Sequence, residues 1–238
     1  MRKTNGLSLT HRLVETLGLA IITGQYVGTE FPNEAELSQQ LGASRTATRE
    51  AIKMLTSKGL ISGRPRHGTA VSPEADWNLL DPDVLRWLLE RKFSMKLMIQ
   101  FTEMRLGIEP AAAALAARNA DESGLASIQK ALARMSDAAA GQDDALSADV
   151  AFHVAILNAT KNAFYRDLHE LVNTALRISI RFTNSIEGHL ATLPAHQQVA
   201  DAIAARDPVA AQAAMEAIIQ DVLRLIHNTA SMRGSLAP

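Results

Sequence analysis

Several residue types are scarce in this chain of 238 residues. It has no cysteine, which excludes a disulfide framework and a thiolate metal site. Aromatic residues make up 4% and hydrophobic residues 47%, with alanine and leucine abundant, a composition typical of packed helices rather than of a sandwich or barrel. No apolar run approaches the roughly 18 residues of a membrane span, and the amino terminus lacks the apolar stretch of a signal peptide. We therefore expect a cytoplasmic, mainly α-helical protein without a membrane partner.

Charge is distributed unevenly along the chain. The formal net charge is −1, yet residues 1–72 carry nine Lys and Arg against five Asp and Glu. The remaining residues carry fifteen against twenty. A basic part joined to an acidic part indicates two domains with different partners.

A regular set of cations marks one helix of the basic part. Arg45, Arg49 and Lys53 follow one another at intervals of four, so they share a helical face, while the apolar residues of the segment share another. Ser44 is a good N-cap for this helix, and Gly59 is placed to end it in a left-handed conformation. From these residues alone, the face is either an ordinary solvated surface or one that presents cations to phosphates.

The flanking segments favour the second interpretation. Upstream, Asn33 and Glu36 have the spacing of a capping box, and the short turn 42–44 leads into the cationic helix. Downstream, short strands at 60–61 and 70–71 enclose a tip rich in glycine, proline and basic residues. This pattern predicts a helix-turn-helix followed by a wing, with the second helix in a major groove.

These residues resemble the winged helix-turn-helix of GntR-type bacterial regulators over about residues 8–72. The match includes Pro32, Leu41-Gly42, Arg49-Glu50-Ala51 and Gly59-Leu60 at fixed spacing. The resemblance implies double-stranded operator DNA as a partner and phosphates as partners of the cations, which have no acid on their own line. The residues that it implies at the DNA are Ser44, Arg45, Thr46, Arg49, Lys53, Arg66, His67 and Gly68.

Two positions depart from that family pattern. Ala35 stands where many relatives carry an arginine that reaches DNA, and Thr48 replaces the usual aliphatic core residue. The first removes one contact, and the second changes the packing. Because one winged module reads few base pairs, we expect a homodimer on a palindrome, assembled through the acidic half.

The acidic part is expected to contain a linker at 73–92 and an all-helical domain at 93–238, following the winged module at 1–72. The linker carries a helix that starts at Asp81-Pro82, with Trp77 and Trp87 as its anchors. Turn signals divide the rest into helices at about 94–118, 122–140, 146–160, 163–186, 194–206 and 208–231.

One polar pair of this part has the spacing of a metal chelate. Asp149 and His153 are four residues apart on one helical face, where a carboxylate and an imidazole can bind one divalent ion. The same pair can be a hydrogen-bonded couple without metal. His196, at the start of a later helix, is a third candidate ligand.

Residues from about 93 to 231 resemble the FCD domain, the all-helical effector domain of the fatty-acid-regulator subfamily. In metal-binding members an aspartate and three histidines line the pocket; Asp149, His153 and His196 match three of them, and Ile218 stands at the fourth. The resemblance implies one divalent ion, zinc first, on three protein ligands. It also implies a small carboxylate effector, bound by Arg105, Asp149, His153, His196 and Arg177.

Arg105 is the residue of that set best suited to a carboxylate, because its planar fork makes two-point contacts. The alternative is that Arg105 pairs with Glu109 one turn away on the surface. The linker tract 76–90 resembles the sugar-acid branch of the subfamily, including galactonate-type repressors, which implies an aldonate effector.

The sequence therefore predicts a DNA-binding transcription regulator rather than an enzyme. We expect a repressor of a carbohydrate-acid operon that its effector releases from the operator. One alternative is a metal-dependent hydrolase with an Asp/His/His site, which lacks an obvious general base and leaves the wing unexplained. The other is a DNA-binding protein with a purely structural helical bundle.

Overall fold

The computed structural model describes residues 8–64, 68–91, 94–183 and 193–234, without the side chains of residues 64, 179–183 and 230–234. The chain divides into a first unit within residues 1–92 and a second within 93–238. Helices dominate both units, and one two-stranded sheet lies in the first, so the mainly α prediction is confirmed. Among the described residues, no helix combines the length and apolarity needed to span a membrane.

The first unit has the order of elements that the sequence predicts. Its elements are α1 (Leu9–Ile22), α2 (Glu34–Gln40), α3 (Arg45–Ser57), β1 (Ile61–Arg64), β2 (Gly68–Val71) and α4 (Pro82–Leu88). The predicted caps are present: Asn33 and Glu36 form a capping box on α2, and Ser44 accepts a hydrogen bond from the backbone N–H of Ala47. Local hydrogen bonds thus fix where both helices of the helix-turn-helix begin.

The core of the first unit joins α1, α2 and α3. Leu17, Leu37 and Leu55 are each no more than 2% exposed. Thr48, where the family resemblance implies an aliphatic residue, is also buried, and Ser38 Oγ donates a hydrogen bond to Thr48 Oγ1 at 2.9 Å. The departure at Thr48 therefore replaces an apolar contact by a hydrogen bond between α2 and α3, which satisfies a buried hydroxyl.

The wing is an antiparallel hairpin in which Ile61 pairs with Val71 and Arg64 with Gly68. Gly59 leads into it from the end of α3 with φ of +74°. A Cβ on Gly59 would lie 2.1 Å from the backbone oxygen of Asp76, so this position needs glycine for space as well as for conformation.

The segment expected as a linker packs onto the first unit. Trp77 donates a hydrogen bond from Nε1 to the backbone oxygen of Ser72, and Trp87 of α4 is 1% exposed, so both tryptophans are anchors as predicted. Trp87 faces Gly18 of α1 so closely that a Cβ there would lie 2.3 Å from the indole ring. α4 is therefore part of the hydrophobic core of this unit.

Ion pairs connect α4 to two neighbouring helices. Lys58, at the end of α3, lies 2.8 Å from Asp81 Oδ1 and 2.9 Å from Asp83 Oδ2. Arg86 makes a two-point contact with Glu15 of α1 at 2.5 and 2.6 Å. These contacts tie α4 to both α1 and α3.

In the described residues of the second unit, every regular element is a helix. These helices are α5 (Met95–Asn119), α6 (Glu122–Ala139), α7 (Ala145–Ala159), α8 (Ala163–Asp167), α9 (His169–Thr183), α10 (Leu193–Ala204) and α11 (Pro208–Gly234). The single helix expected at 163–186 is two helices that meet at Leu168. Pro110 lies inside α5 without ending it. Buried alanines of α5, including Ala112 and Ala116, let its neighbours approach closely.

A substitution at Gly18 tests the packing of α4. Gly18→Ala forces the Trp87 ring to move, and we expect it to lower the free energy of unfolding of the first unit by about 1–3 kcal/mol, the usual cost of overpacking. The chain has only two tryptophans, Trp77 and Trp87, so intrinsic tryptophan fluorescence during denaturation reports this unit.

Gly107→Ala is the matched control, because Gly107 lies in α5 with nothing within 4 Å of an added Cβ. It should leave the fluorescence transition unchanged. An equally stable Gly18→Ala variant would contradict the packing of α4 on α1.

Candidate functional site

One candidate site is the exposed face of α3. Arg45, Thr46, Arg49 and Lys53 are all exposed on this helix, whereas Ala51 and Leu55 face the core. The structure therefore brings together the α3 residues that the sequence predicts at DNA. Ser44 precedes them as the N-cap.

Two of these cations have acidic partners, so the expectation that they lack them is wrong. Arg49 forms an ion pair with Glu34 of α2 at 3.0 Å, and Lys53 forms one with Glu50 at 2.8 Å. Glu34 is fifteen residues away in sequence and reaches Arg49 through the tertiary fold. Glu50 lies three residues before Lys53 on the same helix, so it is not among the residues spaced four apart that define the cationic face.

The wing is only partly within the described residues. Gly68 begins β2 with φ of +76°, which suits glycine. Arg66 and His67, also predicted at the DNA, lie outside the described residues.

A second candidate site is a buried polar cluster in the second unit, formed by Arg105, Glu109, Asp149, His153 and His196. Each of these residues is at most 5% exposed. Arg105 and Glu109 come from α5, Asp149 and His153 from α7, and His196 from α10. The cluster therefore joins three helices through charged side chains inside the core.

Asp149 Oδ1 is the centre of the ligand group that the sequence predicts. It lies 3.3 Å from His153 Nε2 and 3.1 Å from His196 Nε2. Neither ring approaches this oxygen with the geometry of a well-aligned hydrogen bond. One ligand atom from each of the three residues lies within 4.8 Å of the others, a grouping that could hold a metal ion.

Glu109 is a member of the cluster that the sequence analysis missed as a site residue. Its Oε1 accepts a hydrogen bond from Arg105 Nε at 2.6 Å, and its Oε2 contacts His153 Nδ1. Arg105 therefore does pair with Glu109, as the alternative interpretation expected, but both side chains are buried, so the expected surface location is wrong. The spacing of four between them was the available signal.

The charges of the cluster stabilise one another. Burial alone would lower the pKa of His153, but the charge of Glu109 and the contact with Asp149 raise it to about 9. Burial would raise the pKa of Glu109, yet Arg105 and His153 lower it to about 2. Burial is likewise outweighed at Asp149, where His153 and His196 hold the pKa below its usual range. Positive and negative groups therefore alternate from Arg105 through Glu109 and His153 to Asp149.

Two other residues of the predicted pocket have contacts of a different kind. Arg177 of α9 donates from Nε to Asn173 Oδ1 at 2.7 Å. Ile218 of α11 is a partly buried residue packed against the main hydrophobic core. The described residues thus give three candidate metal ligands, Asp149, His153 and His196.

Family comparisons match both parts of the chain. The family model for "Bacterial regulatory proteins, gntR family" matches residues 9–71, and the model for the FCD domain matches residues 100–221. The first match covers the helix-turn-helix and wing, and the second contains all five residues of the buried cluster.

Individual relatives match over nearly the whole chain. The galactonate operon transcriptional repressor of Escherichia coli is 36% identical over 225 residues, which is 92% of this chain and 97% of the relative. The HTH-type transcriptional regulator YieP of the same organism is 33% identical, covering 90% and 93%. The solved structure of Streptococcus agalactiae GntR is 28% identical, with a TM-score of 0.50 over 91% of this chain and all of that chain.

Removing a single charge from the cluster should destabilise the second unit. Glu109→Gln keeps the side-chain volume but leaves Arg105 and His153 facing a neutral amide. We expect the free energy of unfolding to fall by about 3 kcal/mol, the scale for a broken buried pair. Adding Arg105→Met should restore part of this loss. Far-ultraviolet circular dichroism during denaturation measures the change, while tryptophan fluorescence reports the first unit separately.

Asp143→Asn is the control, because Asp143 pairs with Arg134 at 2.8 Å in a partly exposed position of the same unit. It should lower the free energy of unfolding far less than Glu109→Gln does, because solvent screens this pair. Equal losses in the two variants would show that the buried cluster is not coupled as described.

Proposed function

The chain belongs to the GntR family of bacterial regulatory proteins and carries an FCD domain, and from this we propose that it is the repressor of a carbohydrate-acid operon. As a member of this family it is a DNA-binding transcription regulator. We propose further that it acts as a homodimer in the cytoplasm and that a small carboxylate effector, such as an aldonate, releases it from its operator. The observation that supports this proposal is that one chain combines an exposed cationic helix in its first unit with a buried, charged ligand group in its second.

The DNA would be read by the exposed face of α3 and by the wing. Arg45 and Arg49 are the residues for base edges or phosphates, because a guanidinium can make two-point contacts with both. Thr46, Lys53 and the Ser44 end of the helix would contact the phosphate backbone. From the wing, Arg66, His67 and Gly68 would reach the minor groove or its edge. Two copies of this surface on a pseudo-palindrome supply a site of sufficient length.

Asp149, His153 and His196 would hold one divalent cation. A carboxylate oxygen and two imidazole nitrogens are ligands that zinc accepts, and Asp149 Oδ1 is buried without a well-aligned hydrogen bond. Because the pKa of His153 is raised to about 9, binding of the cation would release the proton of His153 Nε2 to solvent. When bound, the cation supplies a positive charge that polarises and attracts effector oxygens. Glu109, at His153 Nδ1, would orient the ring so that Nε2 faces Asp149. With Ile218 in place of a fourth ligand, effector oxygens or water would complete the coordination.

The effector carboxylate would lie beside this group. Arg105 is the arginine of the cluster and would share its guanidinium between Glu109 and the effector. Arg177 is a second candidate from α9. The aldonate assignment is supported by the relative named a galactonate operon transcriptional repressor, which this chain matches at 36% identity.

Release requires only that the effector prefers the DNA-incompetent arrangement. A tenfold preference corresponds to about 1.4 kcal/mol, and two sites in a dimer double it. The hydrolase alternative has no support from the comparisons, since the family consists of regulators. A purely structural bundle would show no response to any small molecule.

Arg49→Ala should abolish operator binding without affecting effector binding. Each protomer loses a contact at the DNA, so we expect the affinity for a selected operator duplex to fall by about 100-fold or more. The shift in melting temperature produced by galactonate, gluconate and related aldonates should be unchanged.

Lys130→Ala is the control, because it removes an exposed cation from α6 of the second unit. It should retain operator binding. Loss of both operator and aldonate responses in Arg49→Ala would contradict the separation of the two functions.

Zinc should stabilise the full-length protein through Asp149. At free zinc one hundredfold above its dissociation constant, we expect about 2.7 kcal/mol of stabilisation, seen by circular dichroism and reversed by EDTA. Asp149→Asn should lose this response, and His169→Gln, which alters an exposed histidine of α9, should keep it. Ile218→His should strengthen zinc binding by supplying a fourth ligand. Identical zinc responses in the wild type and Asp149→Asn would rule out this group as the metal site.

A further inference from the structure

Arg49, which the proposed function places at the DNA, already has a partner in the protein. Its Nη2 lies 3.0 Å from Glu34 Oε1, and its Nε lies 3.4 Å from Glu34 Oε2. Glu34 belongs to α2 and Arg49 to α3, so the pair connects the two helices of the helix-turn-helix. The contact is therefore a property of the tertiary fold rather than of one helix.

The start of α2 holds Glu34 in place. Asn33 caps this helix and shares a capping box with Glu36, so Glu34 occupies the first helical position. The helix dipole favours a carboxylate there. Ser38 of α2 hydrogen-bonds Thr48 of α3 at 2.9 Å, which fixes how the two helices face each other. The carboxylate of Glu34 is thus an acceptor at a set position beside α3.

The pair engages only part of the Arg49 guanidinium. A guanidinium has five N–H donors, and Glu34 contacts Nε and Nη2, which leaves the donors of Nη1 outside the pair. The Arg49 side chain is 62% exposed. Because Glu34 fixes the plane of the guanidinium, its remaining donors have a defined direction. A defined plane suits the paired acceptors of a guanine edge, whereas a phosphate accepts arginine in many orientations.

The same carboxylate opposes sequence-independent binding. A negative charge beside Arg49 reduces its attraction for phosphates, and phosphate contacts supply most of the non-specific affinity for DNA. The geometric and electrostatic effects of Glu34 therefore act in the same direction. Both favour one DNA sequence over the others.

The pair of Lys53 and Glu50 provides the contrast. These residues lie three apart on α3, with side chains that are 65% and 50% exposed. An ammonium group is a compact point charge without a plane to be fixed. Glu50 thus offsets a charge on the same helix without orienting it, which makes it the matched control.

We propose that Glu34 determines operator specificity as a positioning residue that acts through Arg49. The inference rests on the proposed function, since it requires Arg49 to reach the DNA. Glu34 aligns the guanidinium for a base edge and weakens its attraction for other phosphates. Replacing Glu34 should therefore change the ratio of specific to non-specific affinity more than it changes the affinity for the operator.

The test uses full-length protein and two DNA duplexes. One duplex is selected from a random pool by the wild-type chain, and the other contains the same bases in scrambled order. Glu34→Gln should raise the affinity for the scrambled duplex and lower the ratio of the two affinities about tenfold, the scale of one lost bidentate base contact. Glu50→Gln should raise both affinities alike and leave the ratio unchanged.

An Arg49→Lys background provides an independent readout. Lysine has no plane to orient, so Glu34→Gln should no longer change the ratio in that background. The inference is overturned if Glu34→Gln changes both affinities by the same factor in the wild-type background, or if it changes the ratio equally in both backgrounds. Failure of the wild-type chain to select any duplex would overturn the proposed function, and this inference with it.

Discussion

The buried polar series from Arg105 through Glu109, His153 and Asp149, with His196 packed against Asp149, is the interaction on which the second unit depends. None of these groups could remain charged alone in an apolar core. Each is tolerated because its neighbours supply the opposite charge or a hydrogen-bonding atom. The series also restricts the rotation of α5, α7 and α10, because each helix must present its polar residue at the same place.

The alanines around the cluster make this arrangement possible. Ala112 and Ala116 of α5 and Ala148 of α7 are fully buried, and their small side chains let the helices approach. Close approach brings short side chains such as Asp149 within reach of residues on another helix. A ligand that changes the charge at one end of the series therefore affects contacts on three helices, which is a physical route from an effector to a change in shape.

Charged pairs in the first unit differ in their exposure to solvent. Arg49 and Glu34 are exposed to solvent, so their pair adds little to the stability of the fold and leaves Arg49 accessible to DNA. Lys58 with Asp81 and Asp83, in contrast, is largely buried and ties α4 to the end of α3. Exposure thus separates the pairs that can respond to DNA from those that hold the fold.

Sequence rules of short range predicted much of this structure. The caps at Asn33 and Ser44 and the left-handed turn at Gly59 follow from a few neighbouring residues, and all three are present. The ligand group of Asp149, His153 and His196 was found by helical spacing and family resemblance. Glu109 was considered only as a surface partner of Arg105, and Glu34 was not considered as a partner of Arg49, because the contacts of Glu109 with His153 and of Glu34 with Arg49 depend on which helices meet. The break at Leu168 has no glycine or proline to mark it, so the sequence gives little indication that one helix ends there.

The packing of Trp87 against Gly18 has a consequence for the exchange of modules between relatives. A recombination point after the wing, near residue 72, would separate α4 from the helices on which it rests. The resulting chimera would expose a tryptophan and leave a groove on α1, and it would separate Lys58 from Asp81. A DNA-binding module that is moved into another relative therefore has to extend to the end of α4, and Gly18 and Trp87 must be transferred together.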